Sequence, residues 1–523
     1  MQLIAHLVRA VPGWLRLAPG RHPWWAAGTA TVALGVPLAL TLWAEVPELA
    51  APATFGALAN LYGRNESYAR RWRTQAWTGL GLTLAVLAGA GAAVLPLTGW
   101  ADVLVPAVVV AVVATVAKFV TDAVRTGPPA GLIPVFAAGT LGVEPLTLAD
   151  LPAVAAVSLT CAALAVALSA AAGLWRPDGP ERNAVARALA AVLHARRCPG
   201  DPRAETAAVA AVHAAWGVLG PGPEQGTCGP LPGWLAHAER VLHAGAPERP
   251  LRVVLPTLAG RRPVPAAPAG RFPAAAAWPR RRVWTALREP GVLHAPAVRV
   301  GIACAAATLL ASALGFGHVY WAAVAAAAVL QSPSAGTTTQ RAVQRGAGTL
   351  VGVGLAAALV PLATDDVRLW LLTALCMFAV EFCMPRNYAI GTIAITGLSL
   401  LLTRLGTSGA GVSTLVLDRV ADTVLGVLVA VVVAVLVRNR YAHRSLADAL
   451  DALRAAGLGP HTDPHAVRRH LLSVAEARAR LHDDDWRVPA PRTQAEEQAA
   501  YRRLGDLLRT DTPQAGTPEG SGP

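Results

Sequence analysis

The feature that most limits the fold of this chain is a series of long, nearly uncharged apolar runs separated by short connectors that carry arginine. Trp24–Ala44, Ala76–Leu97, Leu151–Trp175 and Leu415–Val437 each approach the roughly 20 residues that a helix needs to cross about 30 Å of hydrocarbon. A backbone in hydrocarbon must satisfy its own polar groups, so segments of this length fold as helices. Composition agrees, since 54% of the 523 residues are hydrophobic and 15% are charged, unlike a soluble globule. The sequence therefore reads as an all-α polytopic membrane protein: two repeats of about six transmembrane helices, a helical cytoplasmic insert and a helical cytoplasmic C-terminal tail.

In order, residues 1–23 form a cytoplasmic N-terminus without the short apolar core and small-residue cleavage site of a signal peptide. The first membrane half, 24–175, is predicted to hold spans at Trp24–Ala44, Leu49–Tyr62, Ala76–Leu97, Val103–Val120, Ala130–Leu141 and Leu151–Trp175. Residues 176–297 are polar, basic and proline-rich. Helical periodicity appears at Glu181–Arg197, Pro202–Leu219 and Leu231–Ala244, and Pro247–Pro290 is expected to include extended linker. The second half, 298–438, holds Val298–Gly315, Val319–Leu330, Gly346–Ala363, Leu369–Cys383, Tyr388–Leu402 and Leu415–Val437, with Arg438–Arg440 stopping transfer. A helical tail, 439–509, is expected at Ala447–Ala456, Ala466–His482 and Thr493–Arg509, and 510–523 has a disordered composition.

The stretch Gly315–Gly352 passes from an apolar helix through a polar break at Ser332-Pro333-Ser334 and a basic connector with Arg341 and Arg345 to a helix starting at Gly346. A weak copy lies in the first half: Arg70, Thr78 and Gly81 keep the spacing of Arg341, Thr349 and Gly352. Arg419-Val-Ala-Asp422-Thr423-Val-Leu-Gly426 repeats the pattern Arg345-Gly-Ala-Gly348-Thr349-Leu-Val-Gly352.

The net charge of +13 is carried by arginine, with Lys118 the sole lysine. A basic excess suits nucleic acid or anionic lipid, but here the arginines are spread over connectors, as in cytoplasmic loops, and no nucleic-acid partner is expected. With the N-terminus inside, Arg64, Arg70, Arg71, Arg73, Lys118, Arg125, Arg341, Arg345, Arg386 and Arg438 fall on inner connectors. Most outer connectors are acidic, through Glu45, Glu48, Asp102, Glu144, Asp150, Asp365 and Asp366. Both termini and the insert then lie in the cytoplasm, and the lipid bilayer is the obligatory partner. The six cysteines form no CxxC pair, so neither a disulfide framework nor a zinc site is expected. His461 and His465 are spaced like metal ligands, but Pro464 interrupts the helix and no third ligand is evident. Walker A, GxSxG and HExxH motifs are absent, so no enzyme, cofactor or resident metal is expected.

Ionisable residues within spans are costly and so are candidates for function. Arg419 and Asp422 share a helix face at i,i+3 and can pair; the bland alternative is a structural ion pair at the membrane interface. Glu381 and Asp122 occupy roughly matching inner ends, where repeat transporters place broken helices but interfacial anchors also sit. Arg341 and Arg345, beside Thr349, can draw an organic anion to the inner mouth or can simply set topology. Gly348, Gly352 and Gly426 are expected to serve close helix packing.

Tyr320-Trp321, Ser332-Pro333, Arg341, Arg345-x-x-Gly348-Thr349-x-x-Gly352, Asn387-Tyr388-Ala389 with Thr396, and Arg419-x-x-Asp422-Thr423-x-x-Gly426 together resemble the fusaric acid resistance family of membrane proteins. The match covers about 140 residues of the second half and, more weakly, Pro23–Trp175. The resemblance implies two six-helix halves with a cytoplasmic domain after the first. It also implies kinship with aromatic carboxylic acid exporters and, more distantly, malate-type anion channels of plants. The expected function is proton-coupled efflux of small organic or aromatic carboxylates through a bacterial cell membrane, with Asp422 as the coupling carboxylate. The alternatives are a passive organic-anion channel and a non-transporting membrane scaffold. The chain leaves room for a homo-oligomer.

Overall fold

In a computed structural model that describes residues 24–199, 202–220, 229–260, 262–268, 283–288, 291, 293–331, 335–406, 412–437 and 441–457, with 470, 473, 474 and 477, all regular elements are helices. The first half contributes α1 (Trp24–Trp43), α2 (Ala50–Ala57), α3 (Tyr68–Ala93), α4 (Trp100–Val124), α5 (Leu132–Leu141) and α6 (Leu151–Trp175). The insert contributes α7 (Gly179–Arg197), α8 (Pro202–Leu219), α9 (Leu231–His243), α10 (Arg249–Ala259) and α11 (Val283–Arg288). The second half contributes α12 (His294–Ala313), α13 (Tyr320–Leu330), α14 (Ala335–Leu359), α15 (Asp366–Cys383), α16 (Tyr388–Gly406) and α17 (Val412–Leu436), and α18 (Tyr441–Gly457) follows.

Among the described residues, α1, α3, α4, α6, α12, the Arg341–Leu362 segment and the Leu415–Leu436 segment are long and apolar enough to cross a membrane. Their outer faces carry the expected chemistry. Leu104, Val108, Val112 and Val116 form an exposed stripe on α4, and Trp24, Trp25, Trp43, Trp100 and Trp175 are exposed near helix ends, where amphipathic rings favour a membrane interface.

Three expected spans are much shorter. α2 has 8 residues between single 3-10 turns, α5 has 10 and α13 has 11. At 1.5 Å per residue these reach about 12–17 Å, half the hydrocarbon thickness. They lie inside the bundle, and all eleven residues of α13 are buried. Side chains satisfy the carbonyls that such breaks expose. Gln75 Nε2 donates to the Asn60 and Tyr62 carbonyls, each at 3.2 Å, and Tyr62 Oη donates to the Ala130 carbonyl at 2.7 Å. Irregular backbone at membrane depth persists where protein surrounds it in this way.

The two halves repeat one packing scheme. α3 packs on α5 and α6, as α14 packs on α16 and α17; α2 packs on α6, as α13 packs on α17. The first helices cross over, with α1 against α15 of the second half and α12 against α4 of the first. Close approach depends on small residues. At Gly348 an added Cβ would stand 2.6 Å from the Ala389 carbonyl oxygen, and at Gly352 it would stand 2.7 Å from Thr396 Cβ. At Gly426 it would meet the Ala322 carbonyl of α13. Gly81, matched in sequence to Gly352, faces open space, and Gly79 makes the close approach instead, 2.8 Å from Ala162 Cβ.

The insert has an apolar core of its own, including Leu189, Val192, Trp216, Trp234, Leu235, Leu251, Val254 and Leu258. α10 corrects the expected linker. Pro250 lies in its first turn, where no N–H is required, and Leu251, Val254 and Leu258 recur on one buried face. The insert meets the α2–α3 connector through Arg187 Nη1 donating to Asn65 Oδ1 at 3.1 Å, and the first turn of α3 through Arg70 donating to the Val218 carbonyl. The helices expected at Ala466–His482 and Thr493–Arg509, the His461/His465 pair, the Ser332–Ser334 break and Arg438–Arg440 lie outside the described residues, apart from isolated positions in the first.

Candidate functional site

The basic stretch read as a connector is helical. α14 begins at Ala335, so Arg341 and Arg345 belong to the helix rather than preceding it. Alanine, glutamine and arginine are good helix formers. Arg345 is 2% exposed and Thr349 1% exposed. α17 likewise begins at Val412, which places Arg419 about 10 Å and Asp422 about 15 Å along the helix from its start. They are 1% and 0% exposed.

α14 and α17 pack together, and Arg345 lies within electrostatic range of Arg419. Arg419 and Asp422 share a side of α17 but form no direct ion pair. Both Asp422 oxygens are buried without a hydrogen-bond partner, as are Nε and Nη1 of Arg419, Nε of Arg345 and Oγ1 of Thr349. The Arg419 guanidinium instead lies over the Trp321 ring of α13, 4.8 Å from its centroid. Trp321 is fully buried. Its ring stacks on His318, with centroids 4.5 Å apart and planes at 14°, and His318 Nδ1 lies 3.0 Å from Asp418 Oδ2. The neighbouring polar groups are spoken for: Thr423 Oγ1 donates to the Arg419 carbonyl at 2.7 Å, and Thr392 and Thr396 of α16 donate back along their own helix at 2.8 Å.

An aromatic row reaches this centre from the first half. Phe55 of α2 meets Phe136 of α5 edge to face at 5.4 Å, Phe136 stacks with Tyr320 at 6.4 Å, and Tyr320 meets Trp321 at 5.6 Å. The three short helices thus converge on the buried arginines.

The other expected candidates sit elsewhere. Arg341 lies over the Tyr388 ring at 5.4 Å. Glu381 pairs with Arg64 of the α2–α3 connector, a contact between the halves. Asp122 pairs with Lys118 one turn earlier, at 2.9 Å. Sequence reasoning missed Trp321 as the seat of Arg419, the His318–Asp418 contact and Arg64 as the partner of Glu381. The first two could be suspected from aromatic residues at the mouth of an alanine-rich helix; the third has no local signal, since 317 residues separate the partners. Among the described residues no group of His, Cys, Asp and Glu has the arrangement of a metal site.

Comparison with known proteins finds similarity over the same region. Residues 304–433 match the family described as fusaric acid resistance protein-like. A protein of Bacillus subtilis (strain 168) named "Uncharacterized membrane protein YvaC" is 29% identical over 189 residues, which cover 35% of this chain and 30% of that protein. The match therefore spans less than a third of the relative's length. No solved structure gives a significant match.

Proposed function

We propose that this membrane protein, fusaric acid resistance protein-like over its second half, exports small organic carboxylates, aromatic ones among them, in a proton-coupled cycle. One observation carries the reading: two arginines and one carboxylate are buried together, with donors and acceptors left unpartnered. Taken as ionised, Arg345, Arg419 and Asp422 set two buried cations beside one buried carboxylate, with Asp418 engaged by His318 at the edge, a costly arrangement that a visiting anion relieves. The planar fork of a guanidinium matches a carboxylate bidentately, and Trp321 and Tyr320 add flat apolar walls beside it. An ionised Asp422 competes with the substrate for Arg419, so its charge state sets how much of the positive site is open. Departure of an anion from a cell with a negative interior is helped by the membrane potential, by about 2.3 kcal/mol per charge per 100 mV.

The arginine-rich connectors favour both termini on the cytoplasmic side. The insert, docked on the α2–α3 connector, belongs with them. Bilayer lipid and a small organic anion are the assigned partners, with no role for nucleic acid and no catalytic step.

The test is uptake of labelled aromatic and aliphatic carboxylates by inverted vesicles, with and without an imposed proton gradient. Wild-type protein is expected to take up at least one acid in a gradient-dependent way. Arg419→Gln and Arg345→Gln should each cut that uptake by about tenfold or more, the scale of a lost charge-assisted contact. Asp422→Asn should keep binding and lose the gradient dependence. Flux that ignores the gradient would make the chain a channel, and no flux with intact protein would leave the scaffold reading.

A further inference from the structure

Asp422 is fully buried, whereas a route from solvent leads to Arg419 through other residues. His318 precedes α13 and Asp418 lies one residue before Arg419; their side chains are 17% and 19% exposed. The contact between them has little slack, since a Cβ on Gly317 would stand 2.6 Å from Asp418 Oδ2. His318 then stacks on Trp321, and Trp321 carries Arg419. A half-buried imidazole and a fully buried guanidinium therefore share one indole.

We infer that His318 and Asp418 form a proton site at the mouth of the anion site, linked to it through Trp321 so that proton and anion exclude one another. The inference rests on the anion-exporter reading above. With Asp418 ionised, His318 Nδ1–H donates to it and Nε2 holds the lone pair that takes a proton from solvent. The proton leaves to water from the same nitrogen. In the neutral state the indole supports one cation, Arg419. Protonation places a second cation on the same ring, and the attraction of a ring quadrupole for a cation is then opposed by repulsion between the two. Asp422, one turn away with both oxygens unpartnered, is an open acceptor for a displaced Arg419. An arginine paired with Asp422 no longer holds a carboxylate, so the anion is released. Proton and anion thus oppose each other, the sign that exchange requires. By linkage the anion must lower the proton affinity of His318 by the same factor.

The charged and titratable groups facing this unit are Asp418, Arg419 and Asp422 from α17, Tyr320 from α13, Arg345 from α14 and, acting on Tyr320, Glu144 from the α5–α6 loop. Histidine is the side-chain type whose unperturbed titration falls between about pH 5 and 8.

The test measures binding of labelled benzoate, salicylate and malonate to the full-length purified protein across that pH range, with efflux from loaded proteoliposomes as the second readout. Wild-type affinity is expected to fall about tenfold from the alkaline to the acid end, within the usual range for coupled sites. His318→Gln keeps a donor toward Asp418 but cannot become a cation, and should show no loss of affinity at the acid end, binding there at least as tightly as wild-type protein does at the alkaline end. His318→Arg should stay weak at every pH. If His318→Gln fails to assemble, Asp418→Asn takes its place, and its pH profile should move to lower pH as the imidazolium loses its counter-ion. A wild-type pH profile retained in the tested variant overturns this inference and leaves the exporter reading standing. Absence of binding of every acid by well-folded wild-type protein overturns both.

Discussion

Gly352 and Gly354 lie two residues apart on α14 and face opposite surroundings. A Cβ on Gly352 would meet Thr396 Cβ at 2.7 Å and the Ile393 carbonyl at 2.8 Å, whereas Gly354 has nothing within 4 Å. Gly352→Ala should therefore force α14 away from α16 and cost about 1–3 kcal/mol, the usual range for overpacking. Gly354→Ala should be neutral or stabilise by about 0.5–1 kcal/mol through the lost backbone entropy of glycine. Thermal unfolding of the two variants in detergent checks the contrast; equal melting temperatures would mean that the helices are not in close contact there. The GxxxG spacing was readable in the sequence, as was the shared face of Arg419 and Asp422. The seat of Arg419 was not. A spacing of i,i+3 permits an ion pair, but the nearest favourable surface for the guanidinium is an indole about 100 residues earlier in the chain, and periodicity within one helix carries no information about it.

At the scale of elements, apolar runs showed where helices lie and not which of them span. Leu132–Leu141 and Tyr320–Leu330 are as hydrophobic as true spans, and only their ends, fixed by neighbours in the bundle, make them short. The start of α14 was hidden for the opposite reason, because Arg341 and Arg345, which suggest a loop, belong to a helix, with Arg345 buried. α10 was hidden behind Pro250, which its first turn tolerates, and Pro256, which lies inside the helix. The insert also has its own response to acid. His237 of α9 is buried beside Trp234, with Nε2 3.1 Å from the Pro247 carbonyl. Burial, with a smaller push from Arg240, holds its imidazole below the usual histidine range, against the Pro247 carbonyl. The folded insert then binds fewer protons than the unfolded chain once pH falls through about 6.5. Stability contributed at His237 is full above that pH and is lost in acid. Burial of the Glu181 carboxyl raises its affinity for a proton, which acts the other way, strengthening the fold as pH falls. Hydrogen-exchange protection across 231–259 should decline on acidification in wild-type protein and decline less in His237→Gln. Identical profiles would remove His237 as the cause.

For the whole molecule, the exchange of first helices means that neither half completes its packing alone: α1 is covered by α15, and α12 by α4. The two halves meet again where Arg64 pairs with Glu381, and Arg64 belongs to the connector on which the insert rests. Side-chain exposure of 21% for Arg64 and 9% for Glu381 makes this more than a surface pair, since a partner left alone there keeps a poorly hydrated charge. The reversals Arg64→Glu and Glu381→Arg each set like charges against one another across the junction, and each should lower the melting temperature. Combining them restores opposite charges with the polarity inverted, so the double variant should be more stable than the two single losses predict, by about 0.5–3 kcal/mol of coupling. Thermal unfolding of the four proteins closes the cycle. Simple additivity would mean that Arg64 and Glu381 do not act on one another, and the junction between the halves would then rest on the crossed helices alone.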